Sequence, residues 1–150
     1  MDYLPSIDGE GIPRVLACFM EALLFNKPLK LVEGGKHQRV FTAIDDALTA
    51  IEKIIERPQQ SYQKIFNIGN PQNEVTIRQL AELMLKIYPQ IAGESPGDKC
   101  VLEEVNSLDF YGPGYDDSDR RLPDISLAKE LLDWQPQIGL AEAFKKAMAG

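Results

Sequence analysis

Most of the motifs from which proteins build self-contained catalytic sites are absent from this 150-residue chain. It contains one histidine and two cysteines, Cys18 and Cys100, which are far apart and do not form a CxxC pair. Protein metal sites of the zinc type need several such ligands, so the sequence predicts no metal site. The glycine-rich dinucleotide fingerprint, the P-loop and the HExxH motif are also missing. We therefore expect no complete catalytic apparatus and no cofactor site on this chain.

Positive charge and long apolar runs are scarce as well. The chain has 16 Lys and Arg against 23 Asp and Glu, a net charge of −7. This balance argues against broad nucleic-acid binding, which needs a basic surface. No apolar run approaches the roughly 20 residues of a membrane-spanning helix, and the first residues do not form a secretory leader. We expect a cytoplasmic protein without membrane insertion.

Strand-like and helix-like segments alternate along the chain, which predicts an α/β or α+β layered unit. Apolar residues at helical spacing predict helices over residues 12–26, 44–54, 77–87, 126–134 and 140–148. A capping-box spacing from Thr76 to Gln79 marks the start of the third helix. Short β-prone runs predict strands over residues 29–32, 64–68 and 101–105, the second of them buried. Residues 89–99 are predicted to form a loop.

A basic cluster on a glycine turn is unusual in such an acidic chain. The predicted strand over residues 29–32 is followed by Gly34-Gly35 and then by Lys36, His37 and Arg39. Glycines allow a backbone to approach a ligand closely, and Lys and Arg donate hydrogen bonds to phosphate or carboxylate oxygens. The cluster therefore predicts an anion-binding turn. The alternative is the tip of a β-hairpin with solvated charges.

A second basic point lies at Arg120-Arg121, after three aspartates between residues 116 and 119. One of these arginines could pair with a carboxylate or phosphate of a ligand. Tyr111 and Tyr115 flank the glycines of the same segment and could stack on a base or a sugar. The alternative is a solvated loop whose ion pairs contribute little. Which arginine faces a site stays open.

Three motifs occur in an order that resembles one enzyme family. They are RVFTAIDD at 39–46, FNIG at 66–69 with TIRQLA at 76–81, and RLPDIS at 121–126 with LLDWQP at 131–136. They resemble the C-terminal, substrate-binding lobe of the extended short-chain dehydrogenases/reductases, the NAD-dependent epimerase/dehydratase family, that act on nucleotide sugars. The resemblance covers nearly the whole chain. It implies that residues 1–150 are one α/β, α+β-like lobe of a Rossmann-type fold, without the NAD-binding sheet.

Within this family the segments KLVEGGKHQR at 30–39 and YGPGYDD at 111–117 are most similar to UDP-glucuronic acid decarboxylases, such as the decarboxylase half of the bifunctional polymyxin-resistance enzymes. These enzymes oxidise C4 of UDP-glucuronate with NAD and release CO2 to give a UDP-4-keto-pentose. The resemblance implies that Arg121 is catalytic. It also implies that substrate is bound by Lys30, Leu31, Val32, Glu33, Gly34, Gly35, Lys36, His37, Gln38, Arg39 and Tyr115.

The family's glycine-rich NAD loop and its Tyr-x-x-x-Lys pair belong to an N-terminal half that has no counterpart here. The resemblance implies that the chain begins in mid-fold, so we expect the isolated chain to bind no NAD and to be inactive. The resemblance implies two partners, a UDP-sugar, of which UDP-glucuronate is the first candidate, and the missing N-terminal Rossmann half. Whether the chain forms a homo-oligomer stays open. Two alternatives remain: a lobe of a 4-epimerase or 4,6-dehydratase, and a non-catalytic module that binds another protein.

Overall fold

The computed structural model describes residues 14–111 and 118–149, which fall into two compact units. Unit 1 comprises the described residues up to 37 together with 76–119, and unit 2 comprises residues 38–75 and 120–148. The elements of the described chain are, in order, α1 Val15–Leu24, β1 Leu29–Val32, β2 Gln38–Val40, α2 Ile44–Glu56, α3 Pro58–Ser61, β3 Glu74–Thr76, α4 Ile77–Ala92, β4 Leu102–Val105, α5 Ser107–Tyr111, α6 Ser126–Leu132 and α7 Leu140–Ala149. No helix in these ranges is long and apolar enough to cross a membrane.

Unit 1 is built on the parallel pair β1 and β4. Leu29 lies opposite Leu102 and Val32 opposite Val105. Burial alternates along β1, as the two-residue period of a strand requires, and helices α1 and α4 contact this strand. The buried side chains of the unit are Phe19, Ala22, Leu23, Leu29, Leu31, Leu80, Ala81, Met84, Ile87 and Cys100. The strands predicted over 29–32 and 101–105 are confirmed.

Helix α4 begins as predicted but ends later. The Thr76 hydroxyl accepts a hydrogen bond from the backbone N–H of Gln79, and the Gln79 side-chain oxygen accepts one from the backbone N–H of Thr76. The loop predicted over residues 89–99 is wrong for its first residues, because the helix continues to Ala92. Proline in a last turn removes only one intrahelical donor. The helix stops at Gly93, which adopts a left-handed conformation with φ of 75°.

Unit 2 packs helices α2 and α6 around a single tryptophan. Its core consists of Ala50, Ile125, Ala128, Leu132 and Trp134, with Ile54, Phe66 and Ile68 partly buried against it. Strand β2 pairs with β3 at another part of the unit, and Phe41 stacks edge-to-face on Phe144 of α7. The helices predicted around residues 44–54, 126–134 and 140–148 are therefore confirmed. The short helices α3 and α5 were not predicted.

The predicted buried strand over residues 64–68 is wrong. The segment belongs to no strand of the described sheets, and the side chain of Ile65 is 90% exposed. Phe66 and Ile68 are nevertheless partly buried against the core. No strand of the described chain pairs with this segment, and the apolar pattern of a segment does not show whether a pairing strand exists.

The hairpin alternative for the glycine turn is also wrong. β1 pairs with β4, and β2 pairs with β3, so the turn between β1 and β2 does not join two paired strands. Glu33, Gly34 and Gly35 instead form a short 3-10 turn in which all three residues have positive φ.

Candidate functional site

A cavity of about 660 Å³ opens in unit 2 and is lined by two arginines. Three short segments meet there: the end of β2, the segment before Asn70, and the chain leading into α6. The lining residues are Arg39, Val40, Thr42, Asn67, Ile68, Gly69, Arg121, Leu122, Pro123 and Asp124. Two of them, Arg39 and Arg121, were predicted to act on substrate. The structure thus brings together two predicted residues that are far apart in sequence.

Arg39 is positioned by strand β2. It is the middle residue of the strand, it is half-buried, and its Nη1 donates a hydrogen bond of 2.6 Å to the backbone carbonyl of Gln38. A guanidinium has five N–H donors, and this bond uses one of them. Gln38 itself is bridged to Arg120, which ties the strand to the segment that carries Arg121.

The structure separates the roles of the two neighbouring arginines. Arg120 donates two hydrogen bonds to the carboxylate of Glu74, from Nε at 2.6 Å and from Nη2 at 2.8 Å. This bidentate pair lowers the pKa of the Glu74 carboxyl and raises the pKa of the Arg120 guanidinium. Arg120 does not contribute to the cavity lining, whereas Arg121 does. Arg121, and not Arg120, therefore lines the cavity, and its action on a substrate stays a prediction.

The remaining wall of the cavity is held by hydrogen bonds and one close contact. Asn67 donates through Nδ2 to the carbonyl of Asp124, and Thr42 accepts a bond from the backbone N–H of Asn70. A β-carbon at Gly69 would lie 2.7 Å from Pro123, so only glycine allows these segments to approach. Thr42, Asn67 and Asp124 lie in the three sequence motifs, but no site role was predicted for them.

Asp124 contributes the negative charge of the cavity. Its carboxylate accepts hydrogen bonds from the hydroxyl and the backbone N–H of Ser126, which lower the pKa of the Asp124 carboxyl. The cavity lining therefore carries two guanidinium groups and one carboxylate. Its local charge is positive in a chain whose net charge is −7, which suits an anionic ligand.

The glycine turn of unit 1 is held by the protein itself. Arg78 donates from Nε to the carbonyl of Gly34 at 3.2 Å and forms an ion pair with Glu104. A β-carbon at Gly35 would lie 2.8 Å from the backbone nitrogen of Arg78. The Glu33 carboxylate accepts the N–H of Ser107, which lowers the pKa of Glu33. The two glycines thus permit close contacts within unit 1.

The other predicted residues of the turn differ in exposure. Lys30, Glu33 and Lys36 are exposed, whereas Leu31 is fully buried in the unit 1 core and offers no side-chain surface to a substrate. The remaining members, Val32, His37 and Gln38, are half-buried.

Two further residues bear on the predicted contacts. His37 lies with Nε2 3.8 Å from the carboxylate of Asp119. Tyr115, the last predicted substrate contact, lies outside the described residues. Substrate binding by residues 30–38 and by Tyr115 stays a prediction.

Several motif residues have a structural role that the sequence did not reveal. Asp46 is buried, and its two carboxylate oxygens accept the backbone N–H groups of Gln137 at 2.9 Å and Ile138 at 3.0 Å. The indole N–H of Trp134 donates to the carbonyl of Asp46 and to the hydroxyl of Thr49. The Asp of the first motif and the Trp of the last are therefore bonded to each other, and both lie outside the cavity lining.

The described residues do not fit a dinucleotide cofactor. Binding the pyrophosphate of NAD requires a glycine-rich turn between a strand and the N-terminus of a helix. The Gly34-Gly35 turn leads instead into strand β2, and Gly35 packs against Arg78. Within the described ranges no group of three or more His, Cys, Asp or Glu residues could hold a metal ion.

Comparison with characterised proteins shows a partial match to plant sugar-nucleotide enzymes. The chain is 48% identical to the UDP-D-apiose/UDP-D-xylose synthase of Oryza sativa subsp. japonica and 47% identical to UDP-D-apiose/UDP-D-xylose synthase 1 of Arabidopsis thaliana. Each alignment covers 99% of this chain but only 37% and 38% of the two relatives. The chain therefore spans less than two fifths of their length. No protein-family model matches it.

Solved structures share the fold. The PbgP3 protein from Burkholderia pseudomallei matches with a TM-score of 0.70 and 30% identity, over 93% of this chain and 38% of that protein. The UDP-glucuronic acid 4-epimerase from Bacillus cereus, solved with UDP-glucuronic acid and NAD, matches with a TM-score of 0.69 and 23% identity, over 90% of this chain and 39% of that enzyme. The chain therefore has the fold of one part of the NAD-dependent epimerase/dehydratase enzymes, the extended short-chain dehydrogenases/reductases, and it resembles a nucleotide-sugar-processing lobe.

Proposed function

We propose that this chain is the UDP-sugar-binding lobe of an NAD-dependent UDP-glucuronate decarboxylase. The observation that carries the proposal is the cavity of unit 2, where Arg39 and Arg121 line one space of about 660 Å³. A UDP-sugar acid carries anionic groups at both ends, a diphosphate and a carboxylate. Two guanidinium groups on one cavity match that distribution of charge.

The relatives support the decarboxylase over other members of the family. Their names refer to apiose and xylose, and both are five-carbon sugars. A hexuronate becomes a five-carbon sugar when its carboxyl carbon leaves as CO2. The substrate of such a conversion must carry a carboxylate, and a cationic cavity is required to hold it. The assignment to the polymyxin-resistance branch of the family remains a narrower hypothesis.

Arg121 would orient the departing carboxylate. When C4 of the sugar is a ketone, the substrate is a β-keto acid, and the bond between C5 and the carboxyl carbon breaks as its electrons move toward the ketone. A guanidinium stays charged at every working pH, so Arg121 can hold the carboxylate and stabilise negative charge that develops beside it. A guanidinium that stays charged at every working pH is also a poor proton donor. We therefore assign Arg121 an electrostatic and orienting role.

An epimerase is the second candidate, because one structural neighbour is named as a UDP-glucuronic acid 4-epimerase. Such an enzyme would use the same arginines to hold the carboxylate, but the carboxylate would stay on the sugar. The two functions share the ligand and differ in the product. Release of CO2 from UDP-glucuronate by an assembled enzyme that contains this lobe would distinguish them.

Calorimetric titration of the 150-residue chain with UDP-glucuronate and with UDP-glucose tests the proposal. We expect UDP-glucuronate to bind at least about tenfold more tightly, which corresponds to about 1.4 kcal/mol. Arg121→Gln should remove that preference, and Arg39→Ala should weaken binding of both ligands. Arg120→Gln is the matched control and should change affinity less than about twofold, since Arg120 pairs with Glu74. A folded chain that binds neither ligand would instead support a protein-interaction module.

A further inference from the structure

The segment that carries Arg121 is short, stiff and held at both of its ends. At its start, the backbone of Arg120 forms a parallel bridge with Gln38 of β2. At its end, the carboxylate of Asp124 accepts the first backbone N–H of α6 at 2.9 Å. Pro123 has a fixed φ and restricts the residue before it to extended conformations. Few backbone torsions between the two ends are free, so contacts made by Pro123 and Asp124 also determine where Arg121 lies.

Asn67 and Gly69 make those contacts from a second segment of unit 2. Asn67 donates through Nδ2 to the carbonyl of Asp124 at 3.2 Å. Gly69 is buried, and a β-carbon there would lie 2.7 Å from Cγ of Pro123, so these two residues pack closely. Ile68, which lies between Asn67 and Gly69, is partly buried against the unit 2 core. The backbone that presents both contacts is therefore fixed by the core.

We propose that Asn67 and Gly69 are positioning residues that hold Arg121 at the cavity, acting through Asp124 and Pro123. A guanidinium on a long side chain holds a carboxylate best when its backbone is already in place, because every torsion that must be ordered on binding lowers the affinity. The inference rests on the proposed function for the ligand of Arg121. It adds two residues that do not belong to the predicted substrate contacts.

The exposure of the Asn67 side chain separates positioning from overall stability. Water can replace an exposed hydrogen bond, so loss of the Asn67 amide should cost the fold little. Without that donor, however, the carbonyl of Asp124 is free to turn, and the segment of Arg121 can move while the core of unit 2 stays folded. The expected signature is a local change at Arg121 with an almost unchanged Tm.

NMR of the ligand-free chain tests the positioning directly. In Asn67→Ala we expect the backbone amide and the Nε–H of Arg121 to shift and to lose order on the nanosecond timescale. The Nε–H of Arg120 should keep its shift, because its ion pair is untouched. Gln137→Ala is the matched control, since the Gln137 amide is also exposed and donates to a backbone carbonyl, that of Gln135, at 3.2 Å. Arg121 signals that change no more in Asn67→Ala than in Gln137→Ala would overturn the inference.

Calorimetry with UDP-glucuronate and UDP-glucose gives the functional readout. Asn67→Ala should reduce the preference for UDP-glucuronate by about threefold to tenfold, the effect of one hydrogen bond. The affinity for UDP-glucose should change less than about twofold and the Tm by less than about 2 °C. Asn67→Gln keeps the amide donor and should recover part of the preference. An equal loss of affinity for both ligands would make Asn67 a structural residue and overturn the proposal.

Gly69→Ala tests the second contact. The added methyl group would displace Pro123, so we expect the Arg121 signals of the ligand-free chain to shift at least as far as in Asn67→Ala. Gly139→Ala is the control, because no atom lies within 4 Å of a β-carbon at that position. A folded Gly69→Ala chain with wild-type Arg121 signals would refute the role of Gly69. If Gly69→Ala does not fold, the Asn67 variants still decide the inference.

The two kinds of measurement separate this inference from the proposed function. A wild-type chain that binds neither UDP-sugar would refute the proposed function. The comparison of Asn67→Ala with Gln137→Ala uses no ligand, so it would still decide whether Asn67 positions Arg121.

Discussion

The two units hold their important segments in different ways. Unit 1 fixes its glycine turn by direct backbone contact, with Gly35 against Arg78, and encloses β1 between helices. Unit 2 fixes its segments by polar contacts, with a buried Asp46 bonded to two backbone N–H groups. Unit 2 also leaves an apolar helix face and a strand-like segment uncovered.

The candidate cavity lined by Arg39 and Arg121 belongs to unit 2. Exposed apolar side chains do not mark that unit alone, because Leu24, Phe25 and Leu108 of unit 1 are exposed as well. Charged residues of the glycine turn, by contrast, engage protein groups: Glu33 accepts from Ser107, and His37 faces Asp119. Of the basic cluster at residues 36–39, only Arg39 lines the cavity, together with Arg121 from a separate motif.

The backbone contact of unit 1 is tested by Gly35→Ala. A methyl group there would meet the Arg78 nitrogen at 2.8 Å, in a backbone conformation with φ of 69°. We expect a loss of about 2–4 kcal/mol in the free energy of unfolding, from left-handed strain and overpacking together. Gly93→Ala is the control, because it has φ of 75° but no atom within 4 Å, and it should cost about 1 kcal/mol. Equal losses in urea unfolding would show that the close contact is unimportant.

The polar contact of unit 2 is tested by Asp46→Ala. The substitution leaves the N–H groups of Gln137 and Ile138 without their acceptor, so we expect a loss of about 2–3 kcal/mol. Trp134 is the single tryptophan of the chain and is bonded to Asp46. Its fluorescence therefore follows unit 2 during urea unfolding. Asp45→Ala removes only the exposed pair with Lys146 and should change stability far less. A similar loss for both variants would contradict the role of the buried carboxylate.

A smaller effect is expected from the Glu74–Arg120 pair as pH falls. The pair lowers the pKa of Glu74 in the folded state, so the unfolded state binds more protons at mildly acidic pH. The stabilisation is complete above the ordinary glutamate pKa of about 4.3 and is lost as pH falls through the folded-state pKa. The stability difference between wild type and Glu74→Gln should therefore shrink on acidification. Glu103→Gln, at an exposed site on β4, should show less change, and a constant difference for Glu74→Gln would refute the account.

Local signals in the sequence were sufficient for most helices but not for strand pairing. The Thr76–Gln79 capping box lies within four residues and was predicted correctly. Residues 64–68 pair with no strand of the described chain, so their apolar pattern led to a wrong strand. The loop predicted over residues 89–99 began too early, because a proline in the last turn did not end the helix.

The residues of the candidate site were named from the sequence by residue type and motif, and their action on a substrate stays a prediction. Arg39 and Arg121 were both named from the sequence, since each lies in a motif of the resembled family. The choice between Arg120 and Arg121 depends on Glu74, which is 46 residues from Arg120. No pattern around residue 120 carries that information. The role of Asp46 could not be predicted locally either, because its partners Gln137 and Ile138 are 91 and 92 residues away.

The most direct test of the cavity is an NMR titration of the isotope-labelled chain with UDP-glucuronate. The account predicts concentration-dependent shifts of the Gly69 backbone amide and the Arg121 Nε–H, both on the cavity lining. The Gly69 shift should be strongly reduced in Arg121→Gln, and both shifts should be retained in Arg120→Gln. Saturating UDP-glucuronate that leaves Gly69 and Arg121 unmoved in the wild type, or that shifts Gly69 equally in Arg121→Gln and wild type, would contradict the assignment of this cavity as the sugar-nucleotide site.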